Sequence, residues 1–206
     1  MSNQKPILFR TPMVQAILNW RKNQTRRTKG LEIINANPNN FEFIRVWDGY
    51  AKFCHNGNHL DELYIKCLYG KVGDVLWVRE TWIESNHPLK KFLYKASVER
   101  ESGLKIKYKP SIHMPKEACR IFLKITNIRV ERLKDITEED AIAEGICYHH
   151  NGYYKNYLLK KGEKDYSFGC DPVHSFETLW QSINGQQSWE VNPWVWVIEF
   201  ERIYNY

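Results

Sequence analysis

The sequence predicts an α+β domain, a small β-barrel with flanking helices, and three observations predict it. Runs of β-branched and aromatic residues with a two-residue alternation recur along the chain, ending in a largely apolar stretch at Asn192–Phe200 of the kind that closes a sheet or barrel. Apolar residues also recur at helical spacing, twice behind a capping residue and a proline. Finally, 206 residues fit one domain, residues 1–206, and a chain of this size buries roughly 70% of its unfolded surface without help from disulfides or a metal.

The first helix is predicted at Thr11-Pro12, with Thr11 as its cap and Met13, Ala16, Ile17 and Trp20 on one face. The basic stretch from Arg21 to Arg27 then reads as the polar tail of that helix, where positive charge suits the dipole. A turn-rich break at Asn35–Asn40 precedes a strand over Phe41–Trp47. A second turn, Gly70–Asp74, leads into a strand over Val75–Trp82, in which Leu76, Val78 and Glu80 share one face and Val75, Trp77 and Arg79 the other.

Residues 86–118 read as a polar, partly hairpin-like excursion, followed by alternating strands over Arg120–Ile125 and Ile128–Leu133. Thr137 caps a short helix whose first turn is acidic and whose end is Gly145 in the left-handed conformation. Residues 149–169 are rich in Tyr, Lys and Gly and read as a loop insertion. Asp171-Pro172 opens the last helix, with Phe176, Leu179, Trp180 and Ile183 on one face.

The net charge of +6, the pI of about 9.0 and the 8 Trp, 12 Tyr and 9 Phe suit a polyanion whose bases can stack. Five cysteines without close pairing argue against a disulfide framework, and Cys54, His55, His59 and Cys67 match no zinc spacing, so neither a metal nor another cofactor is expected. No apolar run approaches the ~20 residues of a bilayer span, and the first residues lack the features of a signal peptide. A cytoplasmic location without a membrane partner is therefore expected.

Three stretches, Arg21–Arg27, Gly73–Trp82 and Leu133–Ala141, together resemble the ASCH family, a branch of the PUA-like barrels. The likeness is closest to a phage and prophage subgroup, where it extends to Arg10–Val14 and Asn192–Val197. Trp20 stands where the family commonly has glycine, and Asn23 where it commonly has threonine. The resemblance implies a pocketed barrel related to RNA-binding domains, and one bacterial branch is an N4-acetylcytidine amidohydrolase using a K-x-x-T motif with a later Glu. The matching positions are Lys22, Thr25 and Glu80.

These three residue types can hydrolyse an amide: a lysine of lowered pKa accepts a proton, a threonine hydroxyl attacks the acyl carbon, and a carboxyl group in apolar surroundings donates to the leaving amine. The competing structural reading is an ion pair between Lys22 and Glu80 that ties the helix end to the barrel. Arg21, Arg26, Arg27 and Arg79 suit a nucleotide phosphate or RNA backbone beside the pocket. The expected partner is thus a nucleoside or single-stranded nucleic acid. The alternatives are a non-catalytic module that reads RNA or modified DNA, and a ribonuclease.

Overall fold

The computed structural model describes residues 3–87, 90–97, 106–149, 152–159 and 171–204. Its strands are β1 (Gln4–Leu8), β2 (Gln24–Arg27), β3 (Phe41–Trp47), β4 (Tyr50–His55), β5 (Asn58–Lys66), β6 (Val75–Arg79), β7 (Trp82–His87), β8 (Lys90–Tyr94), β9 (Phe122–Arg132), β10 (Tyr148–His149), β11 (Tyr153–Tyr154) and β12 (Trp194–Ile203). Its α-helices are α1 (Thr11–Leu18), α2 (Glu32–Asn35), α3 (Glu138–Ala143) and α4 (Pro172–Asn184). The fold is mixed α+β and mostly sheet. No described helix is long and apolar enough to cross a membrane.

The main sheet runs β1-β6-β9-β12-β2, with β1 parallel to β6 and the other pairs antiparallel. Its spine is β9 against β12, paired from Arg132↔Trp194 to Phe122↔Ile203 with one bulge after Glu199. The sequence predicts a small β-barrel, and among the described residues the sheet is open. β2 is four residues long and pairs only with Trp196–Glu199. β1 pairs only with β6. Across the two edges an Arg27 Nη donates to the Leu8 carbonyl at 2.9 Å.

Helix α1 buries Met13, Val14, Ala16 and Ile17. Arg10, not Thr11, occupies the cap position, and the helix stops at Leu18. Trp20, expected on the apolar face, is instead 62% exposed, adopts φ +59° and lies against Arg202 and Tyr204. The reversal has a cause: the backbone N–H groups of Arg21 and Lys22 both turn back to the Ala16 carbonyl, and the chain then enters β2. The basic stretch is therefore not a solvated helix tail. Gln24, Thr25 and Arg26 are buried strand residues.

The predicted strand over residues 75–82 is divided, since β6 ends at Arg79 and a bend at Thr81 precedes β7. Its alternation holds: Leu76, Val78 and Glu80 are each at most 1% exposed. The two predicted strands after Arg120 form one, β9. Thr137 accepts from the Asp140 N–H at 3.2 Å and Asp171 from the Val173 N–H at 2.8 Å, so both predicted caps form. Gly145 follows α3 at φ +83°. Of the predicted insertion, residues 149 and 152–159 are described and include the short β10–β11 ladder, while 150–151 and 160–169, with Cys170 beyond them, lie outside the described residues.

Strands β3, β4 and β5 form an antiparallel sheet whose inner face, with Phe43, Val46, Ala51, Phe53, Leu63 and Ile65, packs on the main core. Phe53 meets Trp194 edge-on at 5.4 Å and Phe43 at 5.8 Å. The β7–β8 hairpin covers a smaller core of Trp82, Met114 and Ala118. Phe53 is fully buried where the two larger sheets meet, so Phe53→Ala is expected to lower unfolding stability by about 3–5 kcal/mol, measured by urea denaturation.

Candidate functional site

The unpaired edges β1 and β2 flank a cleft of about 500 Å³. Phe9 and Met13 form part of one wall, and Phe176, Leu179 and Trp180 of α4 form another. Arg10, Arg27 and Lys29 bring positive charge to it. Polar groups deeper in the wall come from the bridge residue before β2, from β2 itself and from the residue that caps the end of α3: Lys22, Thr25, Arg26 and Glu144. This volume falls within the range typical of small-ligand sites, about 300–1,000 Å³.

Lys22 is 4% exposed, and its Nζ donates to the Gln24 carbonyl at 2.7 Å, the Glu144 carbonyl at 2.8 Å and Glu144 Oε2 at 2.6 Å. Removal from water lowers its pKa from the ordinary 10.5; Glu144 opposes that shift, and the charges of Arg27 and Arg26 reinforce it. Glu144 is held there by an isolated strand-like bridge between residues 22 and 144. Gly145 permits the approach, because a Cβ at that position would lie 2.7 Å from Lys22 Cβ and 2.9 Å from Ala16 Cβ.

The ion pair continues outward, from these buried groups to partly exposed ones. Arg26 donates to Glu144 Oε1 at 3.3 Å, to Asp140 Oδ2 at 2.8 Å and to Glu131 through a short contact. Arg129 reaches the same Asp140 oxygen at 2.6 Å and Glu131 at 3.0 Å, and also pairs with Glu199. Burial alone would raise the Asp140 pKa, but the hydrogen bonds from Arg129 and Arg26 and their charges hold it below the ordinary 3.8.

Thr25 and Arg27 are two residues apart on β2 and therefore share a side of the strand. The Thr25 hydroxyl has no hydrogen-bond partner among the described residues. Arg27 lies over the Phe9 ring at 5.0 Å, its Nε is buried without a partner, and it has no carboxylate counterion among the described residues. Burial lowers its pKa from the ordinary 12.5. Tyr69 is close enough that the Arg27 charge offsets part of the upward shift that burial imposes on the phenol.

Lys22 and Thr25 thus line one cleft, and Glu80 is not among the residues that line it. Both Glu80 oxygens are taken by Arg120, from Nε at 2.8 Å and an Nη at 2.9 Å. Arg120 in turn stacks over Tyr94 at 4.0 Å and donates to Ser97 at 2.7 Å. The expected convergence of Glu80 with Lys22 and Thr25 is therefore corrected, and so is the competing Lys22–Glu80 ion pair: alternation turned Glu80 inward, toward the small core under the β7–β8 hairpin, and the carboxylate beside Lys22 is Glu144.

The four arginines separate in the same way. Arg21 binds the Gly145 and Ile146 carbonyls, each at 3.2 Å, and Arg79 binds the Met114 carbonyl at 3.1 Å and, by a short contact, that of Ile112. Arg26 is enclosed by acids. Arg27 faces the cleft with the Leu8 carbonyl as a partner but no carboxylate among the described residues, and the cleft adds Arg10 and Lys29. Glu144 carries a signal that sequence reading can use: it sits at the C-terminal end of α3, where the helix dipole disfavours an acid unless a cation is supplied from elsewhere. Phe9 and Tyr69 carry none, since only tertiary packing brings them to the cleft.

Among the described residues no three His, Cys, Asp or Glu side chains gather as a metal site. No family model, curated protein or solved structure matches the chain.

Two substitutions check these assignments. Glu80→Gln leaves a partly exposed Arg120 without its counterion, so stability is expected to fall by about 1–3 kcal/mol, less than for a fully buried pair, in denaturant titrations. A carboxylate whose folded pKa is depressed stabilises the fold above its unfolded pKa, because below it the unfolded state binds more protons. Asp140→Asn should therefore destabilise the protein at neutral pH. The gap from wild type should narrow as the pH falls below 3.8, measured as unfolding midpoints across an acid series.

Proposed function

We propose that the chain is an ASCH-type, PUA-like protein whose cleft receives a modified cytidine-like nucleoside and hydrolyses an acyl amide on its base, with N4-acetylcytidine as the sharpest substrate. One observation carries the proposal: Lys22 and Thr25, at the K-x-x-T spacing, line the same cleft, and Lys22 is hydrogen-bonded there to a buried carboxylate, Glu144. A second supports the resemblance. Trp20 stands where the family commonly has glycine and adopts φ +59°, the region that glycine enters without strain.

In this reading burial lowers the pKa of Lys22, and the 2.6 Å hydrogen bond to Glu144 Oε2 gives its proton a route off Nζ. The neutral amine then takes the Thr25 proton as Oγ1 attacks the acetyl carbon. Glu144 gives its proton to N4 as the C–N bond breaks, which releases cytidine and leaves an acetyl ester on Thr25. Water, deprotonated by Glu144, hydrolyses that ester, and the Thr25 oxygen recovers its proton from Lys22. The aromatic side chains Phe9, Phe176 and Trp180 suit the base, and Arg27, with a buried Nε still unpaired, suits an anionic or carbonyl oxygen of the ligand.

A second reading, a non-catalytic module that binds the same ligand, is favoured by one feature: all three Nζ hydrogens of Lys22 already have acceptors, as in a structural tie. Turnover of N4-acetylcytidine, followed by release of cytidine, separates the two. Wild type should turn over, while Lys22→Ala, Glu144→Gln and Thr25→Val should each lose about 10²–10⁴-fold in rate. Thr25→Ser should keep part of the activity, because the hydroxyl survives. A wild-type protein that binds the nucleoside without hydrolysing it would establish the binding-module reading, and cleavage of unmodified RNA would replace both with a ribonuclease.

A further inference from the structure

The solvent face of the β3–β4–β5 sheet carries a second set of cations and aromatic rings, none of which lines the cleft. Pairing sets Trp47 opposite Tyr50 and Tyr50 opposite Lys66; two residues along, it sets Arg45 opposite Lys52 and Lys52 opposite Tyr64. Side chains alternate across a strand, so these six share the face turned away from the core.

The rings form one patch. Trp47 is 42% exposed and Tyr64 51%. Trp47 stacks on Tyr50 at 5.8 Å and meets Tyr64 edge-on at 5.6 Å. Each ring has a cation beside it: Arg45 at 5.5 Å from Trp47, Lys66 at 5.7 Å from Tyr50 and Lys52 at 5.6 Å from Tyr64. Glu62 reaches Lys52 at 2.5 Å and the Tyr64 hydroxyl at 2.8 Å. Arg45 and Lys66 have no carboxylate partner among the described residues.

Cross-strand neighbours of like charge destabilise a sheet, yet Arg45 and Lys52 stand directly opposite each other. Glu62 offsets the Lys52 charge, whereas Arg45 has no such partner among the described residues, so an anion beside Arg45 relieves what repulsion is left. Exposed rings offer a surface on which any base can stack. The centres of protein–protein interfaces are depleted in lysine, which argues against a protein partner here. We infer that this face is a stacking platform for single-stranded nucleic acid, with bases on Trp47 and Tyr64 and phosphates against Arg45 and Lys66. The platform is independent of the cleft and of any chemistry there.

The experiment is fluorescence anisotropy with a short labelled oligouridylate and its oligothymidylate counterpart, across a salt series. Wild type should bind both at low salt. Trp47→Ala with Tyr64→Ala, the fold being verified by circular dichroism, should weaken binding about tenfold or more. Arg45→Gln with Lys66→Gln should reduce the slope of log affinity against log salt by about 1.4, or about 0.7 for each cation. If the double alanine variant fails to fold, Trp47→Phe and Trp47→Leu serve instead, with stacking retained in the first and lost in the second. The inference is overturned if wild type binds neither oligonucleotide at low salt, or if the folded ring variants bind as tightly as wild type. It is also overturned if Arg27→Gln abolishes binding while the platform variants do not, or if the ring substitutions disrupt a dimer and leave oligonucleotide binding unchanged.

Discussion

Lys22 and Arg26 stand four residues apart, one before the short edge strand β2 and one on it, and both are almost completely buried. Two cations removed from water have to be met by carboxylates, and α3 with β9 delivers them: Glu144, Asp140 and Glu131. Much of the molecule's arrangement depends on this network. It holds the end of α3 against the turn after α1, keeps β2 on β12, and through Arg129 extends to Glu199 on the spine of the sheet. A buried ion pair is weak evidence for added stability, since desolvation offsets much of the attraction. What the network imposes is geometry, because each charge has a specific partner and misplacing one leaves another uncompensated.

The same network sorts the positive charges. Both Nη groups of Arg26 are engaged by acids, and Arg21 and Arg79 are spent on backbone carbonyls, so three arginines that look alike in the sequence have structural partners. Arg27, on the other side of β2, meets an aromatic ring and an open cleft instead of a carboxylate. That cleft exists because the sheet does not close. Where β1 and β2 would complete a ladder, one guanidinium spans the gap and leaves room for a ligand beside Lys22, Glu144 and Thr25.

Much of the secondary structure was legible in local chemistry. Thr137 and Asp171 cap their helices, Gly145 takes the left-handed conformation, and Leu76, Val78 and Glu80 face inward, because capping, φ preference and strand alternation are decided by residues close in sequence. The reading failed where distant partners override local preference. Residues 21–27 read as a basic helix tail, yet the Glu144 pairing and the β12 ladder draw them into a bridge and a buried strand. Trp20 fits a helical face by spacing and lies outside the helix, since the chain has to reverse before it can reach β2.

Sequence by itself determined an α+β chain of alternating strands and capped helices, and it brought forward Lys22 and Thr25, whose three-residue spacing survives any arrangement of the rest. It also showed that Glu80 turns inward. Only the tertiary structure decided which buried carboxylate meets which cation. Alternation gives the side of a strand a residue occupies but not what packs against that side, so Glu80 went to Arg120 and Lys22 to a glutamate 122 residues along the chain. The same holds for Trp47, Tyr50 and Tyr64: their types were visible from the start, but only pairing across three strands makes them one surface.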